Sequence, residues 1–270
     1  MNKLGLKYFS AWIFYSSFFV SLCAWALFRF FNPADNVFDQ IIVFAASFIL
    51  YNLLKLRGTK SEYLLQNADQ IKWIKHHERS IYILILVAAI VGLYSWSQVN
   101  FEVKTNFVFA AVFLFAYILF RTFQSERYFP TQINAFFKII NVSIVWSLVI
   151  LDSRGLDMQY FPAVLFLICG LMIPFEIKDM PYDKPFGVRT IPLLFSLPKT
   201  KDIGLAFMSL SLATFTTYNS TKQNFIWLIT CFAGSVVIYL SSEKRGELYY
   251  LFAVDGVMCL PLLIATFINR

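Results

Sequence analysis

Three carboxylates fall within eight residues at the end of a long apolar run: Glu176, Asp179 and Asp183. On a helix, steps of about 100° per residue bring all three within roughly 60° of one another, on one face. Like charges at that spacing repel, so such a face is tolerable when a cation lies over it. A hard divalent ion shared between one or two carboxylates and substrate phosphates is the usual arrangement for magnesium. Gly187 and the pair Arg189-Thr190 follow, set among Pro181, Pro185 and Pro192. Proline at 181 removes a helical donor and crowds the preceding turn, so a kink or an end is expected between the two aspartates.

The elements that must hold this stretch are membrane helices. Of 270 residues, 59% are hydrophobic and 14% charged, where an ordinary soluble domain carries about 25% charged residues. Apolar runs occur at about 9–31, 38–56, 80–97, 105–120, 136–151, 160–177, 202–218, 225–241 and 248–268. The reading is therefore an all-α polytopic membrane protein, a bundle of about nine transmembrane helices forming a single domain over residues 1–270. No signal peptide is expected, because the first run is long enough to span and lacks a small-residue cleavage site. Cys23, Cys169, Cys231 and Cys259 lie inside apolar runs with no Cys-x-x-Cys pairing, and imply neither a disulfide framework nor zinc.

With the amino terminus inside, 18 of the 23 lysines and arginines fall in inner connections. That asymmetry sets an inside amino terminus and, for nine spans, an outside carboxyl terminus. The net charge of +7 is thereby absorbed as loop asymmetry, and no nucleic-acid partner is expected. Two inner connections are long enough to act as caps, at about 57–79 and 179–201. In the first, Leu64, Ala68, Ile71 and Ile74 recur at helical spacing beside Lys72, Lys75, His76 and His77, which predicts an amphipathic helix at the inner interface. Within the spans, Asp255 lies about 12 Å from the start of its run at 1.5 Å per residue, where an ionisable group is a functional or a structural candidate. Asn52, Lys138 and Asn141 sit near inner ends, on the same side as the acidic stretch.

The run 171–192, Leu-x-x-Pro-Phe-Glu-Ile-Lys-Asp-Met-Pro-Tyr-Asp-Lys-Pro-Phe-Gly-Val-Arg-Thr-Ile-Pro, resembles the second aspartate-rich motif of the UbiA-type intramembrane prenyltransferases. Asp179, Asp183, Gly187, Arg189 and Thr190 fall on that motif's positions. The resemblance implies a nine-helix bundle with two aspartate-rich motifs facing the cytoplasm, after the second and sixth helices. It implies Asp179 and Asp183 as catalytic residues holding magnesium, with Glu176 extending the metal-binding face, on the diphosphate of an isoprenoid donor. Its first motif, Asn-Asp-x-x-Asp-x-x-x-Asp, is not kept: here the run is Asn52-Leu-Leu-Lys-Leu-Arg-Gly-Thr-Lys60, with Asn52 matched and Leu53, Leu56 and Lys60 in the aspartate positions.

The expected function is transfer of an isoprenyl group from a polyprenyl diphosphate to an aromatic or other lipophilic acceptor, in a bacterial inner membrane. Asn52, Lys55, Arg57, Lys60, Lys138 and Arg189 are the expected diphosphate contacts, ammonium and guanidinium standing where a second metal would be. Two alternatives remain open: a catalytically inactive relative that binds an isoprenoid or lipid phosphate, and a structural membrane protein.

Overall fold

The computed structural model describes residues 11–33, 36–58, 68–99, 101–123, 131–151, 157–186, 190–217 and 219–268. Among these residues the secondary structure is entirely helical: α1 (Phe18–Phe31), α2 (Val37–Gly58), α3 (Ala68–His76), α4 (Glu78–Gln98), α5 (Phe101–Phe123), α6 (Thr131–Ile150), α7 (Phe161–Asp183), α8 (Ile191–Phe195), α9 (Leu197–Thr216), α10 (Thr221–Leu240) and α11 (Tyr249–Ile268). Helices therefore stand where the apolar runs predict them. Five are long and apolar enough to cross a membrane: Val37–Leu56 within α2, then α4, α7, α10 and α11. Shorter apolar helical stretches lie at Phe18–Phe31, Val103–Tyr117 and Phe136–Ile150. The molecule is an integral membrane protein.

The chain divides into two compact units, residues 1–100 with 246–262 and residues 101–245 with 263–270. In the first unit α2 packs between α1 and α4, and α1 also meets the 3-10 turn Val257–Cys259 within α11. The amphipathic helix expected in the first inner connection is α3. Its Ile74 closes a small core with Leu56 and Ile81, against which Trp73 and Ile85 pack. Of the neighbouring histidines, the His77 ring stacks on Trp73 at 4.4 Å, and its Nδ1 lies 2.9 Å from the Trp73 carbonyl oxygen.

In the second unit α7 is the central helix, packed against α6, α9, α10 and the short α8. Of its spanning window 61% is buried, against 17% for α4 of the first unit. Close approach depends on small residues. A Cβ built on Gly204 of α9 would stand 3.0 Å from Ile238 Cγ2 of α10 and 3.2 Å from Ile173 Cγ2 of α7, so glycine there lets three backbones converge.

One expectation needs correcting. Helix α7 does not end at Pro181: it carries both Pro174 and Pro181 in its interior, runs through Asp183, and passes directly into a 3-10 turn, Lys184–Phe186. The missing Pro181 donor costs a single bond near a helix terminus, and dense packing along the preceding turns lets the helix continue past it.

Candidate functional site

Helix α7 delivers the three acidic side chains at its C-terminal end, as the spacing predicts. Their surroundings differ. Glu176 is 1% exposed and Asp183 5%, while the Asp179 side chain retains 32% of its exposure. A buried carboxylate is expensive unless paired, and Glu176 is paired: Lys138 of α6 donates to its Oε1 at 2.5 Å. The same ammonium interacts electrostatically with Asp179 and with the Tyr117 side chain of α5. The cation lying over the acidic face is thus supplied by the chain itself. Asp179 has a second positive neighbour in Lys178, 3.5 Å away, whose ammonium also sits 6.0 Å from the Phe175 ring centroid. Asp183 has interactions of its own and is not an isolated charge.

The polar atoms of this unit that are buried without a hydrogen-bond partner among the described residues include Asn141 Oδ1, one turn along α6 from Lys138, and Thr190 Oγ1 at the start of α8. Asn141 was visible from sequence as a polar residue in an apolar run. Thr190 stood out only through the motif resemblance.

In the first unit, Asn52 and Lys55 are used in a way no sequence pattern announced. Residues 11–15 are helical, and the chain breaks before α1 at Ser17, which takes the left-handed conformation (φ 63°). That break strips carbonyls of their helical donors. Asn52 Nδ2 donates to the Ser16 carbonyl at 2.8 Å and to the Phe48 carbonyl at 2.8 Å. Lys55 Nζ donates to the Phe14 and Tyr15 carbonyls at 3.3 and 3.2 Å. Both side chains therefore close a helix end, which in a membrane must be satisfied internally. Of the remaining expected contacts, Lys60, Arg189 and the side chain of Arg57 lie outside the described residues.

Asp179 and Asp183 fit a divalent ion on chemical grounds. They are hard oxygen donors one helical turn apart, a number that suffices for magnesium when waters and phosphate oxygens complete the octahedron. Among the described residues no three His, Cys, Asp or Glu side chains converge as an all-protein metal cage, and Glu176 is already neutralised.

No family model matches the sequence, and no curated protein matches it. Among solved structures, the chain is similar to a UbiA homolog from Archaeoglobus fulgidus bound to GPP and Mg2+, with a TM-score of 0.64 and 10% identity over 96% of this chain and 99% of that one. It is similar to a second structure of a UbiA homolog from that organism (TM-score 0.60, 11% identity, 94% and 96% covered). A digeranylgeranylglyceryl phosphate synthase is also similar, at TM-score 0.52 and 14% identity over 91% and 92% of the two chains. The fold is therefore that of the UbiA homologs, traversed from end to end. At these identities the likeness defines the class, an all-α integral membrane protein of UbiA-type fold.

Proposed function

We propose that the protein is a membrane-embedded prenyltransferase, moving an isoprenyl group from an isoprenyl diphosphate to a lipophilic acceptor. The observation that carries this reading is the inner end of α7, where Asp179 and Asp183 lie one turn apart with the Lys138 ammonium against the same face. The bound GPP and Mg2+ of the first similar structure support the ligand class. In the same reading the chain is a single domain of nine spans in a bacterial inner membrane, with a cytoplasmic amino terminus and the carboxyl end outside.

Within it, Asp179 and Asp183 hold one magnesium ion. When bound, that ion supplies Lewis-acid stabilisation to the diphosphate as the allylic carbon–oxygen bond breaks. Lys138 turns part of its hydrogen bonding to a diphosphate oxygen, where a charge-assisted donor is strongest as negative charge develops. Glu176 keeps that ammonium charged and aimed, and Arg189 adds a guanidinium to the anion. The side chains of α2 at 52 and 55 are assigned to the helix end they close.

The test is product formation by purified protein in lipid, given a labelled isoprenyl diphosphate and a mixture of aromatic acceptors, with and without magnesium. A magnesium-dependent product that disappears in Asp179→Ala and Asp183→Ala is expected. A product indifferent to both would overturn the reading. Binding without turnover is the second reading, favoured by the Lys138 charge that already offsets the acidic face; there, calorimetry detects isoprenyl diphosphate while no product forms.

A further inference from the structure

The first unit contains a pair of thiols that the proposed chemistry leaves unused. Cys23 of α1 is fully buried and Cys259 of α11 partly so, and the two thiols act on one another electrostatically. The register of two helices places them on facing turns. Phe19 of α1 meets Phe252 of α11 with ring centroids 5.4 Å apart. One turn further along α11, the Phe19 ring lies 3.7 Å from where a Cβ on Gly256 would stand. The next turn of both helices brings Cys23 opposite Cys259, in the segment where α1 packs on the turn Val257–Cys259. The carboxylate of Asp255 acts electrostatically on both thiols.

The other two cysteines serve as a contrast within the same molecule. Cys231 has the Ser211 hydroxyl at 3.8 Å as its partner, and Cys169 is buried in α7 of the second unit. A thiol facing a hydroxyl has nothing with which to form a disulfide. A thiol facing a thiol does.

We propose that Cys23 and Cys259 are a redox-modification site, oxidised to a disulfide that fastens α1 to α11. Both S–H bonds break and one S–S bond forms. The two protons and two electrons pass to a lipid-soluble oxidant of the quinone class, which leaves as the quinol. Exposure sets the order: the Cys259 sulfur, partly open, loses its proton and bonds to the quinone, and the shielded Cys23 thiol, losing its proton, then attacks the Cys259 sulfur, so that the S–S bond forms as the sulfur–quinone bond breaks and the ring leaves as the quinol. Cys169 and Cys231 stay reduced.

The experiment uses the full chain in lipid nanodiscs, fully reduced, then exposed to a benzoquinone carrying a short alkyl tail. Free thiols are counted with a maleimide, and linked peptides are identified by mass spectrometry before and after reduction. Two of the four thiols are expected to become unreactive and to return on reduction, with a Cys23–Cys259 linked peptide in the oxidised sample. Cys23→Ser and Cys259→Ser are each expected to abolish the linkage. Four reactive thiols after the quinone has been consumed would overturn the proposal, as would a linkage through Cys169 or Cys231 or between two molecules. The linked peptide is read on the unsubstituted protein, so a variant that folds poorly does not remove the test.

Discussion

Lys138 of α6 and Glu176 of α7 are joined by a 2.5 Å ion pair in which the carboxylate is 1% exposed and the lysine 38%. The pair ties two neighbouring helices together at the end where the acidic face lies, and it converts a buried charge that would destabilise the bundle into a cross-link.

Removing one partner of that pair is worse than removing both. Lys138→Met leaves the Glu176 carboxylate buried and unpaired, at a cost of about 2–3 kcal/mol, reduced from the fully buried case because the lysine is partly open to solvent. Glu176→Leu combined with Lys138→Met should recover most of that loss. Thermal unfolding in one detergent should rank wild type and the double variant together, above Lys138→Met.

The paired aspartates predict a different signature. Asp179→Asn keeps shape and hydrogen bonding but weakens hold on a hard cation, so magnesium-dependent turnover should fall by at least about 100-fold, with the unfolding midpoint unchanged. Turnover within threefold of wild type would show that Asp179 is not a metal ligand.

Asn52→Ala and Lys55→Ala should lower stability with no ligand present. Each bares backbone carbonyls at the break before α1, and an unsatisfied buried backbone group costs about 1–3 kcal/mol. Ser17→Gly should be neutral or stabilising, by up to about 1 kcal/mol, because glycine reaches φ 63° without steric cost. Unfolding curves of apo protein check all three, and an unchanged midpoint for Asn52→Ala would contradict the helix-closing role.

Glycine substitutions should separate by the stiffness of what they meet. At Gly204 a methyl group faces Ile238 and Ile173 at 3.0 and 3.2 Å, both β-branched and unable to swing away, so Gly204→Ala should cost about 1–3 kcal/mol. At Gly234 the methyl meets only the tip of Met208, with Sδ at 2.7 Å, and methionine yields. Gly234→Ala should therefore be the milder change in a thermal or denaturant series.

Much of this architecture is legible in the chain. Apolar runs locate the helices because hydrocarbon leaves the backbone little alternative, and the 176, 179, 183 spacing places three carboxylates on one side of α7. Partnerships are less legible. Lys138 and Glu176 are 38 residues apart, and composition says nothing about which of many lysines will meet a given carboxylate. Asn52 and Lys55 look like anion ligands by residue type, yet they are drawn to backbone oxygens by a break at Ser17 that no glycine or proline marks. Of the kink or end that Pro181 signals, the end is absent: tertiary packing carries α7 past it to Asp183. Asp255 and the thiols near it were visible as residue types, whereas their proximity depends on two helices from opposite ends of the chain.

The helix break before α1 also constrains how the protein is made. The side chains that satisfy the carbonyls of residues 14 to 16 come from positions 36 to 41 residues later. Until α2 has been synthesised, the Tyr15 and Ser16 oxygens lack the donors they meet in the fold, and the Phe14 oxygen keeps only the Ser17 N–H at 3.4 Å. The first two helices are therefore incomplete as separate insertion events, and the chain must enter the bilayer with α1 and α2 as one hairpin.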